Sequence, residues 1–185
     1  MFTAKDLRKL ILPLIVEQFL AVTIGMADTI MVASTGEAAM SSVSLVDAIN
    51  ILLINIFSAL ATGGAIVASQ YLGREDNKRA NVAAKQLLLV TTAMSAFIMA
   101  VCLIGRNPIL DLIFGKIEPE VMDNCRVYFF WSALSYPFLA VYNAGAALYR
   151  SMGNSKVSML TSTLMNAINI AGNALLIFGF HMGVA

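Results

Sequence analysis

Five stretches of this sequence are apolar over a length that can cross a lipid bilayer, at residues 10–32, 43–68, 87–104, 127–148 and 159–180. A helix needs about 20 residues to span the hydrocarbon core. Inside lipid every backbone polar group must be paired within the protein, so a spanning segment is a helix or a strand of a closed barrel. Barrel strands alternate over short segments, whereas these stretches are long and continuous. The sequence therefore predicts an all-α membrane protein with five transmembrane helices.

The composition supports the same class of protein. Hydrophobic residues make up 59% of the chain and charged residues only 12%, against about 25% charged residues in typical soluble domains. The net charge of +1 gives no basic surface of the kind that binds nucleic acid. We therefore expect the lipid bilayer, and no nucleic acid, as the partner of most of the surface.

The basic residues between the apolar stretches predict the orientation of the chain. Lys and Arg concentrate on the cytoplasmic side of membrane proteins. Only Arg106, Lys116 and Arg126 fall on the side of the membrane opposite the N-terminus, whereas nine basic residues fall on the same side as the N-terminus. We therefore expect a multi-pass protein of the cell membrane with its N-terminus in the cytoplasm. The nine basic residues on the same side of the membrane as the N-terminus are Lys5, Arg8, Lys9, Arg74, Lys78, Arg79, Lys85, Arg150 and Lys156.

The first apolar stretch contains acidic residues, which are unfavourable in a transmembrane helix. A charged side chain near the bilayer centre costs roughly 2.5 to 3.5 kcal/mol, so Asp28 is a candidate functional residue. The alternative is a neutral acid that hydrogen-bonds to a neighbouring helix. Glu17 lies eleven residues earlier, nearly on the same helix face, so we expect both side chains to face one cavity. Pro13 predicts a bend in this helix.

Asparagines recur inside the other apolar stretches. Asn166, Asn169 and Asn173 are spaced by three and four residues, so their amides form one stripe on the fifth predicted helix. Amide oxygens can coordinate a cation or accept from a protonated acid, and amide nitrogens can donate. The alternative is a set of hydrogen bonds between helices. Asn50 and Asn143 are further candidates for a cavity, whereas Asp47 is expected near the interface, in contact with water.

Four short motifs lie at the predicted helices and loops. They are Leu12-Pro13-Leu14 with Met26-Ala27-Asp28-Thr29, Ser69-Gln70-Tyr71-Leu72-Gly73 with Asp76, Ala147-Leu148-Tyr149-Arg150-Ser151-Met152-Gly153-Asn154, and Asn169 to Asn173 with Leu176-Ile177-Phe178-Gly179. Through these motifs the sequence resembles, from its start to its end, the N-terminal part of multidrug and toxic compound extrusion (MATE) transporters. Each motif is weak alone, but the four occur in the order expected for this family and at the expected helices and loops.

The resemblance implies a secondary antiporter and not an enzyme. Such transporters export organic, often cationic, compounds in exchange for protons or sodium ions, and no cofactor is implied beyond the coupling ion. Twelve helices form two six-helix lobes in the family, so residues 1–185 would be an incomplete N-terminal lobe. We accordingly expect a fragment whose missing partner is the sixth helix and the C-terminal half.

The resemblance also implies roles for particular residues. Asp28 matches an acid that binds the coupling cation in one branch of the family, and Asn169 matches an asparagine of the same site. Asn173 stands where that branch has a second aspartate, so one carboxylate of these two helices is replaced by an amide. Pro13 matches the proline at which the first helix bends. No metal is implied other than sodium at Asp28.

Three other functions stay open from the sequence. A flippase for lipid-linked precursors belongs to the same superfamily, although such proteins tend to line their cleft with cationic side chains. A non-transporting membrane subunit could pack on a partner through Gly63 and Gly64. An intramembrane aspartyl protease would pair Asp28 with Asp47, but no Gly-x-Gly-Asp-like segment accompanies either residue.

Overall fold

A computed structural model describes residues 4–179 of the chain. Within these residues the structure consists of helices and their connections, without a β-strand. The α-helices are α1 (Ala4–Ala33), α2 (Glu37–Gly73), α3 (Asn77–Ile104), α4 (Arg106–Phe114), α5 (Pro119–Ser151) and α6 (Ser155–Ala174), and a π-helical turn, Leu175–Gly179, follows α6.

Four of the long helices are long and apolar enough to cross a membrane, and they contain Leu10–Ala33, Glu37–Gly73, Asn77–Ile104 and Ser155–Gly179. The remaining long helix, α5, has 33 residues and contains the predicted stretch 127–148. Large apolar side chains such as Phe19, Phe97 and Phe138 are exposed, as expected for surfaces that face lipid. The prediction of an all-α membrane protein is confirmed. The predicted end of the fifth stretch at residue 180 lies outside the described residues.

The helix boundaries follow from local chemistry. Gly36 precedes α2 with a φ of 129°, and Gly153 precedes α6 with a φ of 79°, values that residues with a Cβ rarely adopt. Asp76 caps α3 by accepting a hydrogen bond from the backbone N–H of Arg79 at 3.0 Å. Pro119 occupies the first position of α5, where a missing N–H costs nothing.

The helices form two groups. The bundle of α2, α3 and α5 contains the core, in which Phe57, Phe129, Ala133 and Ala140 have no exposed surface or almost none. α1 packs chiefly against α6, so these two helices form a pair beside the bundle. The pair meets the bundle where α6 contacts α5 and α1 contacts α2. α1 continues through Pro13, which is buried and deprives the carbonyl of residue 9 of its intrahelical donor.

Gly64 lies at the close contact between α2 and α3. A Cβ at this position would overlap the side chain of Leu87, whose Cγ would lie only 3.0 Å away, whereas a Cβ at Gly63 would meet no described atom within 4 Å. We therefore expect Gly64→Val to lower the free energy of unfolding by about 1 to 3 kcal/mol through overpacking. The matched Gly63→Val should change it by less than about 0.5 kcal/mol.

Denaturation in SDS would measure both values. Adding Leu87→Ala to Gly64→Val should recover part of the loss, because it removes the methyl groups that the new side chain overlaps. Equal effects of the two valine substitutions would contradict the predicted packing role of Gly64.

Candidate functional site

A cavity of about 340 Å³ lies between the α1/α6 pair and the α2/α5 side of the bundle. α1 contributes Asp28, α2 contributes Asp47 and α5 contributes Tyr128, while Asn169 and Asn173 come from α6. Two carboxylates, two amides and a phenol therefore face one space, although they come from four different helices. The cavity is lined on its other sides by apolar residues, including Val32, Val43, Leu176 and Ile177.

Asp28 is bound to α6 by hydrogen bonds. The amide nitrogen of Asn173 donates to Asp28 Oδ1 at 3.0 Å. The amide group of Asn169, turned so that its nitrogen faces Asp28, donates to Oδ2 at 3.0 Å and to Oδ1 at 3.1 Å. The structure thus brings together the three residues that the sequence singled out for cation binding, across 145 residues of chain between Asp28 and Asn173.

Asn169 can match either charge state of Asp28. With its nitrogen towards the carboxylate it donates to an ionised acid. With its oxygen towards the carboxylate it accepts from Asn173 Nδ2 at 3.4 Å and presents an acceptor to a protonated acid or a ligand oxygen to a cation. Rotation of this amide therefore changes whether Asn169 offers Asp28 a hydrogen-bond donor or an acceptor.

The π-helical turn that follows Asn173 forms part of the same cavity. Leu176 and Ile177 lie within the turn Leu175–Gly179 and line the cavity wall. π-Helical turns inside or at the end of α-helices are frequent at functional sites, because they interrupt the regular hydrogen bonding of the helix. The turn places the end of the amide stripe next to a segment with altered backbone pairing.

Asp47 and Tyr128 belong to a second group of polar side chains that the sequence analysis did not identify as a site. The hydroxyl of Tyr128 donates to Asp47 Oδ1 at 3.0 Å, and Asn50 Nδ2 donates to the same oxygen at 3.1 Å. Asn50 Oδ1 in turn accepts from the hydroxyl of Tyr136 at 2.8 Å, and Asn50 Nδ2 is 3.3 Å from Ser132 Oγ. Asp47 is therefore held in a network between α2 and α5, where a residue wetted at the interface was expected.

A signal for this network was present in the sequence. Tyr128, Ser132 and Tyr136 are spaced by four residues, so they form a polar stripe on one face of α5. Asp47 and Asn50 are spaced by three residues on α2 and also share a face. Only the packing of α2 on α5 shows that the two stripes meet.

The other candidate residues lie away from Asp28. The expectation that Glu17 shares its cavity needs correction, because Glu17 contacts Ser158 and Arg150 nearer the amino end of α1. Asn166 Nδ2 donates to Ser162 Oγ, one turn earlier on α6, at 3.4 Å. Asn143 is half-buried on α5. Asn50 contributes to the site indirectly, through its hydrogen bond to Asp47.

The charges around the cavity have one sign. Asp28 and Asp47 are the charged side chains among its lining residues, and no Lys or Arg of the described chain lines it. Residues 4–179 contain no group of three His, Cys, Asp or Glu side chains arranged to hold a metal ion. Carboxylate and amide oxygens at the edge of an apolar cavity suit a proton, an alkali cation or an organic cation.

Comparison with known proteins places this chain in a family. A family model named MatE matches residues 13–175. The uncharacterized transporter YisQ of Bacillus subtilis is 30% identical over 178 residues, which cover 94% of this chain and 38% of that protein. The multidrug resistance protein PmpM of Pseudomonas aeruginosa is 24% identical over 180 residues, which cover 97% of this chain and 37% of that protein. The chain thus spans 37–38% of the length of these two relatives.

Solved structures share the fold. A multidrug resistance MATE family transporter of the MOP superfamily, in its outward-facing conformation, superposes with a TM-score of 0.91 at 19% identity, over 97% of this chain and 40% of that one. A MOP superfamily transporter from Pyrococcus furiosus, described as having a binding pocket of reverse polarity, gives a TM-score of 0.90 at 19% identity, over 97% of this chain and 39% of that one. The resemblance found in the sequence is confirmed, and the chain belongs to the MatE family.

Proposed function

We propose that the complete protein is an antiporter that exports organic compounds in exchange for protons or sodium ions, and that this chain forms most of its N-terminal lobe. The observation that carries the proposal is the placement of Asp28 in a cavity between two helix groups, bound to amides of α6. An acid inside an apolar helix is costly, and its neutralisation changes the energy of the conformation that holds it. The multidrug resistance protein among the relatives supports export of drugs.

Asp28 is the switch in this mechanism. A proton or sodium ion enters from outside the cell and neutralises the carboxylate. The amide of Asn169 then rotates from donor to acceptor, which weakens the attachment of α1 to α6. α1 bends at Pro13, the affinity for the bound compound falls, and the compound leaves as the ion arrives. Alternating access further requires the second lobe, so transport is a property of the complete protein.

Asn173 stands where one branch of the family has a second aspartate, and this difference leaves the site able to bind a coupling ion. An amide at this position leaves Asp28 as the carboxylate contributed by α1 and α6, while amide oxygens can serve as co-ligands for sodium. The absence of Lys and Arg among the described lining residues supports export of cations over the flipping of anionic lipid-linked precursors. We place the N-terminus in the cytoplasm of a multi-pass protein of the cell membrane, on the basis of its basic loops.

Transport by the reconstituted protein tests this function. The product of the complete reading frame would be placed in liposomes, and ethidium movement followed by fluorescence under an imposed sodium or proton gradient. We expect transport opposite to one of the two gradients, and its loss when an ionophore collapses that gradient. Ethidium movement that is the same with and without either gradient would contradict the proposal.

A further inference from the structure

We propose that Asp47 is the counter-ion of a positively charged organic substrate that occupies the cavity beside Asp28. This inference rests on the proposed transport function and adds to it the residue that selects the charge of the substrate. It is carried by the hydrogen bonding of Asp47, the walls of the cavity and its charge.

The two oxygens of Asp47 have different surroundings. Oδ1 accepts from Tyr128 at 3.0 Å and from Asn50 at 3.1 Å. No described residue donates a hydrogen bond to Oδ2. Asn50 is itself fixed by Tyr136, so the carboxylate is held in one orientation by a partly buried network. One oxygen therefore positions the carboxylate, and the other remains available to a ligand.

The surroundings of Asp47 suit an organic cation better than a bare ion. The aromatic side chain of Tyr128 lines the cavity next to the carboxylate, and aromatic rings attract ammonium and phosphonium groups. Val43 on α2 and Leu176 and Ile177 in the π-helical turn supply apolar wall. The volume of about 340 Å³ falls within the range of small-molecule sites, roughly 300 to 1,000 Å³. A bare cation would leave this apolar wall without a partner.

The cavity contains two carboxylates, which have different partners. The amides of Asn169 and Asn173 surround Asp28, which is assigned to the coupling ion. Asp47 is the second negative charge, and its partners Tyr128 and Asn50 are neutral. The coupling ion neutralises Asp28 and so removes one of the two negative charges that attract an organic cation, and this attraction is stronger in a weakly polar cavity than in water. A coupling ion at Asp28 therefore lowers the affinity for an organic cation at Asp47, which is the exchange that antiport requires.

Binding of a charged and an uncharged probe to the complete protein in nanodiscs tests the inference. The probes are tetraphenylphosphonium and the neutral triphenylphosphine oxide, and empty nanodiscs correct for partition into lipid. We expect Asp47→Asn to lower the preference for tetraphenylphosphonium over the neutral probe about tenfold, as expected for loss of a paired charge. Asp47→Glu should keep most of the preference, and Ser44→Ala, on an exposed part of α2, should keep all of it.

A second neutral substitution, Asp47→Ser, would be measured in case Asp47→Asn does not fold. An unchanged preference in a folded neutral variant would overturn the role of Asp47 while leaving cation-driven transport intact. Failure of the wild-type protein to exchange ethidium against either ion would instead overturn the proposed function.

Discussion

Replacing Asp28 with asparagine is expected to reduce cation-driven export by the complete transporter by about 5- to 150-fold, the usual range of coupling between two binding sites. Asparagine is nearly isosteric with aspartate and keeps hydrogen-bonding partners for Asn169 and Asn173. It cannot be neutralised by a proton, and it has no charge with which to hold sodium. The variant should therefore resemble the ion-loaded state permanently and bind the exported compound weakly.

Efflux from proteoliposomes under each ion gradient would measure this effect. Asn166→Ala is the matched control, because Asn166 lies on the same helix as Asn169 but contacts Ser162 and does not line the cavity. It should export at a rate close to that of the wild type. Gradient-driven export by Asp28→Asn at the wild-type rate, with equal amounts of folded protein, would exclude Asp28 from the coupling mechanism.

Hydropathy, helix periodicity and the resemblance to transporters each predicted part of the fold or of the cavity. Hydropathy identified the long helices and periodicity the amide stripe, and the resemblance to transporters linked Asn169 and Asn173 to Asp28. Hydrogen bonds between Asp28 and α6 agree with that link. Periodicity gives the face on which a side chain lies, but it does not give the helix that packs on this face. The pairing of α1 with α6, which are far apart in sequence, could not be deduced from hydropathy.

Asp47 and Glu17 show that sequence position alone does not give the neighbours of a side chain. Asp47 was expected in water because it is near the start of an apolar stretch, yet α5 brings Tyr128 to it. Glu17 was expected beside Asp28 because they share a face. Eleven residues of helix span about 16 Å at about 1.5 Å per residue, so the two acids meet different neighbours. Distance along a helix axis separates residues that angular position alone would bring together.

Replacing Arg150 with methionine is expected to lower the free energy of unfolding by about 1 to 3 kcal/mol, the cost of leaving a charged group without its partners. Arg150 Nη1 lies 3.6 Å from Glu17 Oε1 and donates to Ser158 Oγ at 3.0 Å. Ser158 donates to the Glu17 carboxylate at 3.0 to 3.1 Å. The side chain of Glu17 is only 17% exposed and that of Arg150 31% exposed, so water compensates poorly for a missing partner. Methionine keeps much of the length and apolar contact of arginine and removes its charge.

A double-mutant cycle isolates the ion pair from other effects of the substitution. Glu17→Gln combined with Arg150→Met should cost less than the sum of the two single substitutions, with a coupling energy of about 0.5 to 3 kcal/mol, measured by SDS denaturation of the complete protein. Arg79→Met is the control, because the Arg79–Asp76 pair is exposed and should contribute only about 0 to 1 kcal/mol. Additive single effects would show that Glu17 and Arg150 act independently. Coupled effects would mean that this ion pair fastens the α1/α6 pair to α5 at the end of α1 opposite the Asp28 cavity.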